Sequence, residues 1–105
     1  MARAEFVEMA PAEKKRVLIV DDAVVVRKAL SDAIMLDPSL EVAGVAPNGR
    51  IALAKFPDLK PDLVLLDLEM PEMDGLETVR QLRKISATVP IAVSCVSALK
   101  IASGA

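Results

Sequence analysis

The sequence has no histidine and only one cysteine among its 105 residues. Without histidine the chain cannot form a Ser-His-Asp triad, a histidine-ligated metal site or a phosphohistidine carrier. The lone Cys95 can form neither an internal disulfide nor a metal cluster, which fits a structural role and a reducing, cytoplasmic location. Any histidine chemistry must therefore come from a partner.

Long apolar stretches and basic clusters are also lacking. Every apolar run is interrupted well before the roughly 20 residues that a membrane helix needs. Acidic and basic residues are interspersed and the net charge is -2, so no basic stripe favours direct nucleic-acid binding. Residues 1–16 carry charges throughout, unlike a secretory signal. We expect one soluble domain without membrane insertion.

Two apolar runs, residues 17–20 and 63–66, are continuous rather than alternating. Continuous runs are typical of strands that are covered on both faces in a parallel sheet. Between them, apolar residues recur at helical spacing over residues 26–34, until Asp37-Pro38 ends the pattern. This segment is predicted to be a crossover helix, with Arg27 on its polar side.

Shorter elements continue the alternation. The pattern of residues 41–46 predicts a more polar strand at an edge of the sheet. Residues 50–56 are predicted to form a brief helix that ends before Pro57. Residues 90–93 predict a fourth strand that ends at Ser94.

The helix between the third and fourth strands begins at a capping-box pattern formed by Asp74 and Glu77. Leu76, Val79 and Leu82 are predicted to face the sheet. The complete order is then β-α-β-α-β-α-β, which implies right-handed crossovers. The predicted fold class is α/β, a flavodoxin-like doubly wound parallel sheet with strand order 2-1-3-4.

Acidic residues follow two of the predicted strands: Asp21 and Asp22 follow the first, and Asp67 follows the third. In this topology the three acids meet at the carboxyl edge of the sheet, where open α/β sheets bind ligands. We expect no comparable group of polar residues at the amino ends of the strands. Carboxylates about 4 Å apart repel by roughly 4 kcal/mol at an effective dielectric near 20, so a proton or a cation must intervene. An all-oxygen ligand set favours Mg²⁺. Asp67, alone at the end of a central strand, is the preferred nucleophile for a phosphoryl group, and Ser94 could hydrogen-bond that group.

Other interpretations of these residues stay open. Asp22 precedes a helix and could serve only as its cap, and Asp74 with Gly75 is an ordinary turn-and-cap signal. A phosphohydrolase with Asp67 as nucleophile would carry its motif on the first strand and would need a larger cap. Nucleotide binding requires a glycine-rich loop after the first strand, where acids would instead repel a pyrophosphate.

Three segments resemble the receiver domains of two-component response regulators: residues 17–22 (Val-Leu-Ile-Val-Asp-Asp), residues 66–75 (Leu-Asp-Leu-Glu-Met-Pro-Glu-Met-Asp-Gly) and Ser94. The similarity spans about residues 15–97. Residues 37–53 look most like the receivers at the front of chemotaxis protein-glutamate methylesterases.

The resemblance implies a role for each residue of the site. Asp67 would accept the phosphoryl group from a histidine kinase, Asp22 and Asp67 would bind Mg²⁺ directly, and Asp21 would act through water. The backbone carbonyl of Glu69 would complete the ligands, and Ser94 would be the hydroxyl switch that controls an output domain or partner protein. The chain itself would then not be an enzyme. The alternatives are a degenerate receiver that serves as an interaction module, or a fragment of a methylesterase.

The family pattern continues past the last residue of this chain into a fifth strand, with a lysine that contacts the phosphoryl group, and a final helix. We therefore expect a tail over residues 1–15, a truncated receiver over residues 16–105, and an exposed fourth-strand edge through which two copies could pair. Lys100 follows the fourth strand too closely to replace that lysine. Ala23 stands where similar methylesterase receivers often carry a hydroxyl residue, so one local hydrogen bond is expected to be missing.

Overall fold

The computed structural model describes residues 14–67 and 75–94, where strands and helices alternate. The elements are β1 (Lys15–Val20), α1 (Val24–Met35), β2 (Leu40–Ala46), α2 (Gly49–Leu59), β3 (Leu63–Asp67), α3 (Gly75–Ile85) and β4 (Ile91–Ser94). The strands are all parallel and their order is β2-β1-β3-β4, which confirms the predicted fold class and strand order. None of these three helices is both long and apolar enough to cross a membrane.

The central strand β1 contributes to both faces of the sheet. Leu18 and Val20 pack with buried side chains of α2 and α3. Val17 and Ile19 point to the opposite face, where they pack with Ile34 of α1. All four strand residues are at most 1% exposed, which explains why the run is continuously apolar.

Strand β2 lies at the edge of the sheet, as its polarity predicts, and most of it is only half-buried. Its register against β1 shifts between Val17 and Leu18, which pair with Val42 and Gly44, so Ala43 is the extra residue of a bulge. At Gly44 a Cβ atom would lie 2.7 Å from Leu59 Cδ1. Glycine therefore lets α2 pack closely against this strand.

Helix α2 extends further than predicted. Its start is capped by Asn48, whose side chain accepts a hydrogen bond from the Ile51 amide at 2.9 Å. The prediction that Pro57 ends the helix is wrong, because the helix continues to Leu59. Pro57 cannot donate to the carbonyl four residues before it and its ring crowds that carbonyl, but Phe56 and Leu59 on either side of it pack into the core. The helix ends at Lys60, which has a left-handed backbone and donates its amide to Phe56 O at 3.0 Å.

Helix α3 buries a different stripe from the one predicted. Val79 and Leu82 do face the core, but Leu76 is 60% exposed. Thr78 is fully buried in its place, and Gly75 is buried at the helix start. These positions are related by the three- and four-residue spacing of one helix face, and Leu76 lies beside that face. The predicted cap Asp74 lies outside the described residues.

Charged residues also meet at the amino edge of the sheet, contrary to expectation. Arg16 donates through its side chain to Glu41 Oε2 at 2.9 Å and to Leu59 O at 3.1 Å. Its backbone N–H donates to Asp62 Oδ2 at 2.9 Å, and the Asp62 amide donates to Arg16 O at 2.7 Å. This group of residues, which we call the amino-edge network, ties β1, β2 and the residues before β3 together.

Candidate metal and phosphoryl site

The candidate site lies at the carboxyl edge of the two central strands. Strands β1 and β3 are neighbours, and Val20 pairs with Leu66. The next residue of each strand is therefore an aspartate, and Asp21 and Asp67 emerge side by side. On the other side of β3, the backbone of Asp67 pairs with that of Ser94.

The structure brings the three predicted acids together. One carboxylate oxygen from each of Asp21, Asp22 and Asp67 lies within 4.8 Å of the other two. Asp21 and Asp67 are each 2% exposed, whereas Asp22 is exposed. We call these three residues the acid cluster. It has two buried members and one that faces water.

Asp21 is held in place by hydrogen bonds from three directions. Its amide donates to Ala46 O of β2 at 3.0 Å. Its Oδ1 accepts the Ala23 amide at 2.8 Å, and its carbonyl accepts from Arg27 Nη1 at 2.7 Å. Ala23 is the N-cap of α1 and supplies no side-chain cap. The Asp21 carboxylate thus takes part in starting the helix.

The donor set fits a hard divalent cation. Three carboxylates at this separation repel one another, and two of them are buried where solvent screens charge poorly. Mg²⁺ prefers oxygen ligands, is usually bound through one or two carboxylates and keeps several of its waters. The exposed Asp22 leaves one side of the cluster open to such waters.

Two predicted site groups lie outside the part of the chain that the structure describes: the Glu69 carbonyl and the Ser94 hydroxyl. One residue at this edge was not predicted, because helical spacing places Arg27 on the polar side of α1. In the structure Arg27 is half-buried and contacts the backbone of the acid cluster. Its position gave a signal, since a cation close to the start of a helix opposes the helix dipole and suggests a local acceptor.

Comparison with known proteins agrees with this geometry. A family model for the response regulator receiver domain matches residues 17–101. The chain is 58% identical over 76 residues to a protein-glutamate methylesterase/protein-glutamine glutaminase of Nocardioides sp., which covers 72% of this chain and 21% of that protein. It is 48% identical over 79 residues to the chemotaxis protein CheY of Thermotoga maritima, with 75% of this chain and 65% of that protein covered. The chain therefore spans a small part of the methylesterases that it matches.

Solved structures give the same result. The response regulator domain of Thermotoga maritima CheB superimposes with a TM-score of 0.72 at 36% identity, over 80% of this chain and 63% of that one. A CheX-CheY-BeF3-Mg²⁺ complex from Borrelia burgdorferi gives a TM-score of 0.73 at 27% identity, with the same two coverages of 80% and 63%. The chain belongs to the response regulator receiver domain family, and within that family it is close to the receivers of CheY and CheB.

Proposed function

We propose that this chain takes a phosphoryl group from a histidine kinase onto Asp67 and thereby switches an output partner. The observation that carries the proposal is the convergence of Asp21, Asp22 and Asp67 within 4.8 Å at the carboxyl edge of the central strands. Asp67 is the strongest candidate for the nucleophile because it is buried and ends the central strand β3.

The acid cluster would hold Mg²⁺, with the Glu69 carbonyl as a further ligand. The Borrelia burgdorferi relative was crystallised with Mg²⁺ and BeF3, which supports this assignment. When bound, Mg²⁺ supplies positive charge that offsets the negative charge of the carboxylates and of an incoming phosphoryl group. The residues of the chain supply the orientation, since Asp21 is fixed by its bonds to Ala46 and Ala23.

The covalent step is a transfer from nitrogen to oxygen. An Asp67 carboxylate oxygen attacks the phosphorus of the kinase phosphohistidine and forms a new P–O bond. The P–N bond breaks and its electron pair leaves with the imidazole, so the chain gains an acyl phosphate and the kinase regains its histidine. The Ser94 hydroxyl would then donate to a phosphoryl oxygen, a role that the backbone pairing of Ser94 with Asp67 supports.

The downstream partner is proposed from the similarity to chemotaxis proteins. An output domain of the methylesterase type, or a separate binding protein, would sense the change near Ser94. The methylesterase relatives are much longer than the match, and we assign no catalysis to this chain beyond its own phosphorylation. The site of action proposed for it is the cytoplasm.

The test uses the full chain with phosphoramidate, a donor that also carries a P–N bond, on a phosphate-retarding gel. Wild type should be retarded in the presence of Mg²⁺ and not with EDTA. Neutral hydroxylamine should remove the phosphoryl group and abolish the retardation, as expected of an acyl phosphate. Asp67→Asn should show no retardation. Asp58→Asn makes the same chemical change at an exposed position in α2 and should be labelled like wild type.

Labelling that persists in Asp67→Asn would refute the nucleophile assignment. A wild type that binds Mg²⁺ but never takes the label would instead favour the degenerate receiver that acts only through protein contacts.

A further inference from the structure

Arg27 stands where the dipole of α1 does not favour a cation. It is the fourth residue of the helix, close to the positive end of the helix dipole. The first turn has no acidic residue, and the N-cap Ala23 makes no side-chain hydrogen bond. The structure shows a specific contact that offsets this position. The Arg27 guanidinium is half-buried and donates to Asp21 O at 2.7 Å.

Arg27 binds both ends of the short segment that carries Asp22. Its backbone N–H donates to Ala23 O at 2.9 Å, which closes the first turn of α1. Its side chain donates to the carbonyl of Asp21. The peptide group between Asp21 and Asp22 is thus held by a charged donor, and the orientation of that peptide sets the direction in which the Asp22 side chain leaves the backbone.

Asp21 itself is held by two further contacts. The amide of Asp21 is bonded to Ala46 O, and its Oδ1 accepts the Ala23 amide. Asp22 is the exposed member of the acid cluster, so its position depends more on the backbone that carries it than on burial. The Asp21 carbonyl belongs to the peptide group that leads into Asp22, so a contact that fixes this carbonyl also orients the backbone of Asp22.

We infer that Arg27 is a positioning residue: it fixes the Asp21 carbonyl, directs Asp22 toward Asp21 and Asp67, and so raises the affinity of the acid cluster for Mg²⁺ without touching the metal. This inference rests on the proposed function, which it deepens. It predicts that loss of Arg27 weakens Mg²⁺ binding while the phosphorylation step at saturating Mg²⁺ stays intact.

The test compares four forms of the full chain: wild type, Arg27→Ala, Arg27→Lys and Lys28→Ala. Mg²⁺ binding is measured by calorimetry without a phosphodonor, and the rate of labelling by phosphoramidate is measured over a range of Mg²⁺ concentrations. Arg27→Ala should raise the Mg²⁺ dissociation constant by up to about tenfold, a ceiling set by the energy of one hydrogen bond from a charged donor. Its labelling rate should return to the wild-type value at saturating Mg²⁺.

The two other variants separate position from charge. Lys28→Ala removes the same charge from the next residue, which pairs with Asp32 instead of the cluster, and should change the dissociation constant less than about twofold. Arg27→Lys keeps the positive charge and a donor group, and its affinity for Mg²⁺ should lie between those of wild type and Arg27→Ala.

Three results would overturn the inference. The first is an Arg27→Ala variant whose Mg²⁺ dissociation constant equals that of wild type. The second is a Lys28→Ala variant whose dissociation constant rises as much as that of Arg27→Ala. The third is a labelling rate in Arg27→Ala that stays low at every Mg²⁺ concentration. If circular dichroism shows that Arg27→Ala is unfolded, Arg27→Gln takes its place and is judged by the same results. A wild type that binds Mg²⁺ without being labelled would refute the proposed function alone, since calorimetry still tests Arg27. A wild type that binds no Mg²⁺ would refute both.

Discussion

The two edges of the sheet use charged residues in opposite ways. At the amino edge, Arg16 lies between acids: its side chain pairs with Glu41 at 2.9 Å and its backbone N–H donates to Asp62. At the carboxyl edge, three acids lie within 4.8 Å of one another. The amino-edge network brings opposite charges together, whereas the acid cluster brings like charges together.

This difference leads us to expect different roles for the two edges. Opposite charges that join strands stabilise the fold without any ligand, although half-exposed pairs contribute modestly. Like charges held close together repel one another, and a bound cation would relieve that repulsion. We therefore expect the amino edge to determine stability and the carboxyl edge to determine the response to Mg²⁺.

The largest expected effect is on stabilisation by Mg²⁺. A ligand at 100 times its dissociation constant adds about 2.7 kcal/mol to the free energy of unfolding when it binds only the folded chain. Asp21→Asn should lose most of this increment, although it keeps an oxygen for the Ala23 amide. Glu41→Gln makes the same kind of change at the amino edge and should keep the increment. Urea unfolding followed by circular dichroism, with and without MgCl₂, measures both.

The same experiment tests the sign of the repulsion. Without Mg²⁺, Asp21→Asn should be at least as stable as wild type, because one of three clustered charges is gone. Equal increments from Mg²⁺ in both variants would show that the ion acts elsewhere, and the contrast between the two edges would no longer hold.

The next largest effect is expected from Arg16→Ala. This change removes two side-chain hydrogen bonds, to Glu41 and to Leu59 O, and should cost about 2 kcal/mol after allowance for the 39% exposure of each side chain in the ion pair. Arg80→Ala is the matched control, because its pair with Glu77 is more exposed and should contribute about 0.5 kcal/mol or less. The Mg²⁺ increment of Arg16→Ala should equal that of wild type. A loss no larger than that of Arg80→Ala would show that the amino-edge network adds little to stability.

Much of the fold could be predicted because its main signals are local. The continuous apolar runs of β1 and β3 identify buried parallel strands, and the polarity of residues 41–46 identifies an edge. The end of α2 was missed because Phe56 and Leu59 pack into the core and keep the helix intact past Pro57, a tertiary effect that the proline alone does not indicate. The bulge at Ala43 depends on how β2 fits against β1 and α2, which no local pattern records.

The acid cluster at the carboxyl edge was predicted and the amino-edge network was missed, for a physical reason. Asp21 and Asp67 directly end apolar strands, so topology alone brings them together. The acidic partners of Arg16, Glu41 and Asp62, are 25 and 46 residues away, and their pairing with Arg16 depends on the register of three strands. The signal was nevertheless present, because Arg16, Glu41 and Asp62 all lie at or just before the amino ends of strands. Arg27 could not be assigned from helical periodicity, since its guanidinium reaches back beyond the helix start.

The smallest effect is expected for Glu77, a paired acid on the surface of α3 that belongs to neither edge. The hydrogen bond from Gln81 lowers the pKa of Glu77 below its ordinary value of 4.5, and the hydrogen bond from Arg80 lowers it further. A carboxyl whose pKa is lower in the folded state adds stability above its ordinary pKa, and this contribution is lost as the pH falls through the folded value. The stability advantage of wild type over Glu77→Gln should therefore shrink from pH 6 to pH 3 in urea unfolding. Gln81→Ala should remove more of this pH dependence than Arg80→Ala does. If the difference in unfolding free energy between wild type and Glu77→Gln stays constant across this range, the ionised Glu77 does not stabilise the fold through its pairs. An ion pair on the surface of α3 would then differ in its effect from the one expected at the amino edge.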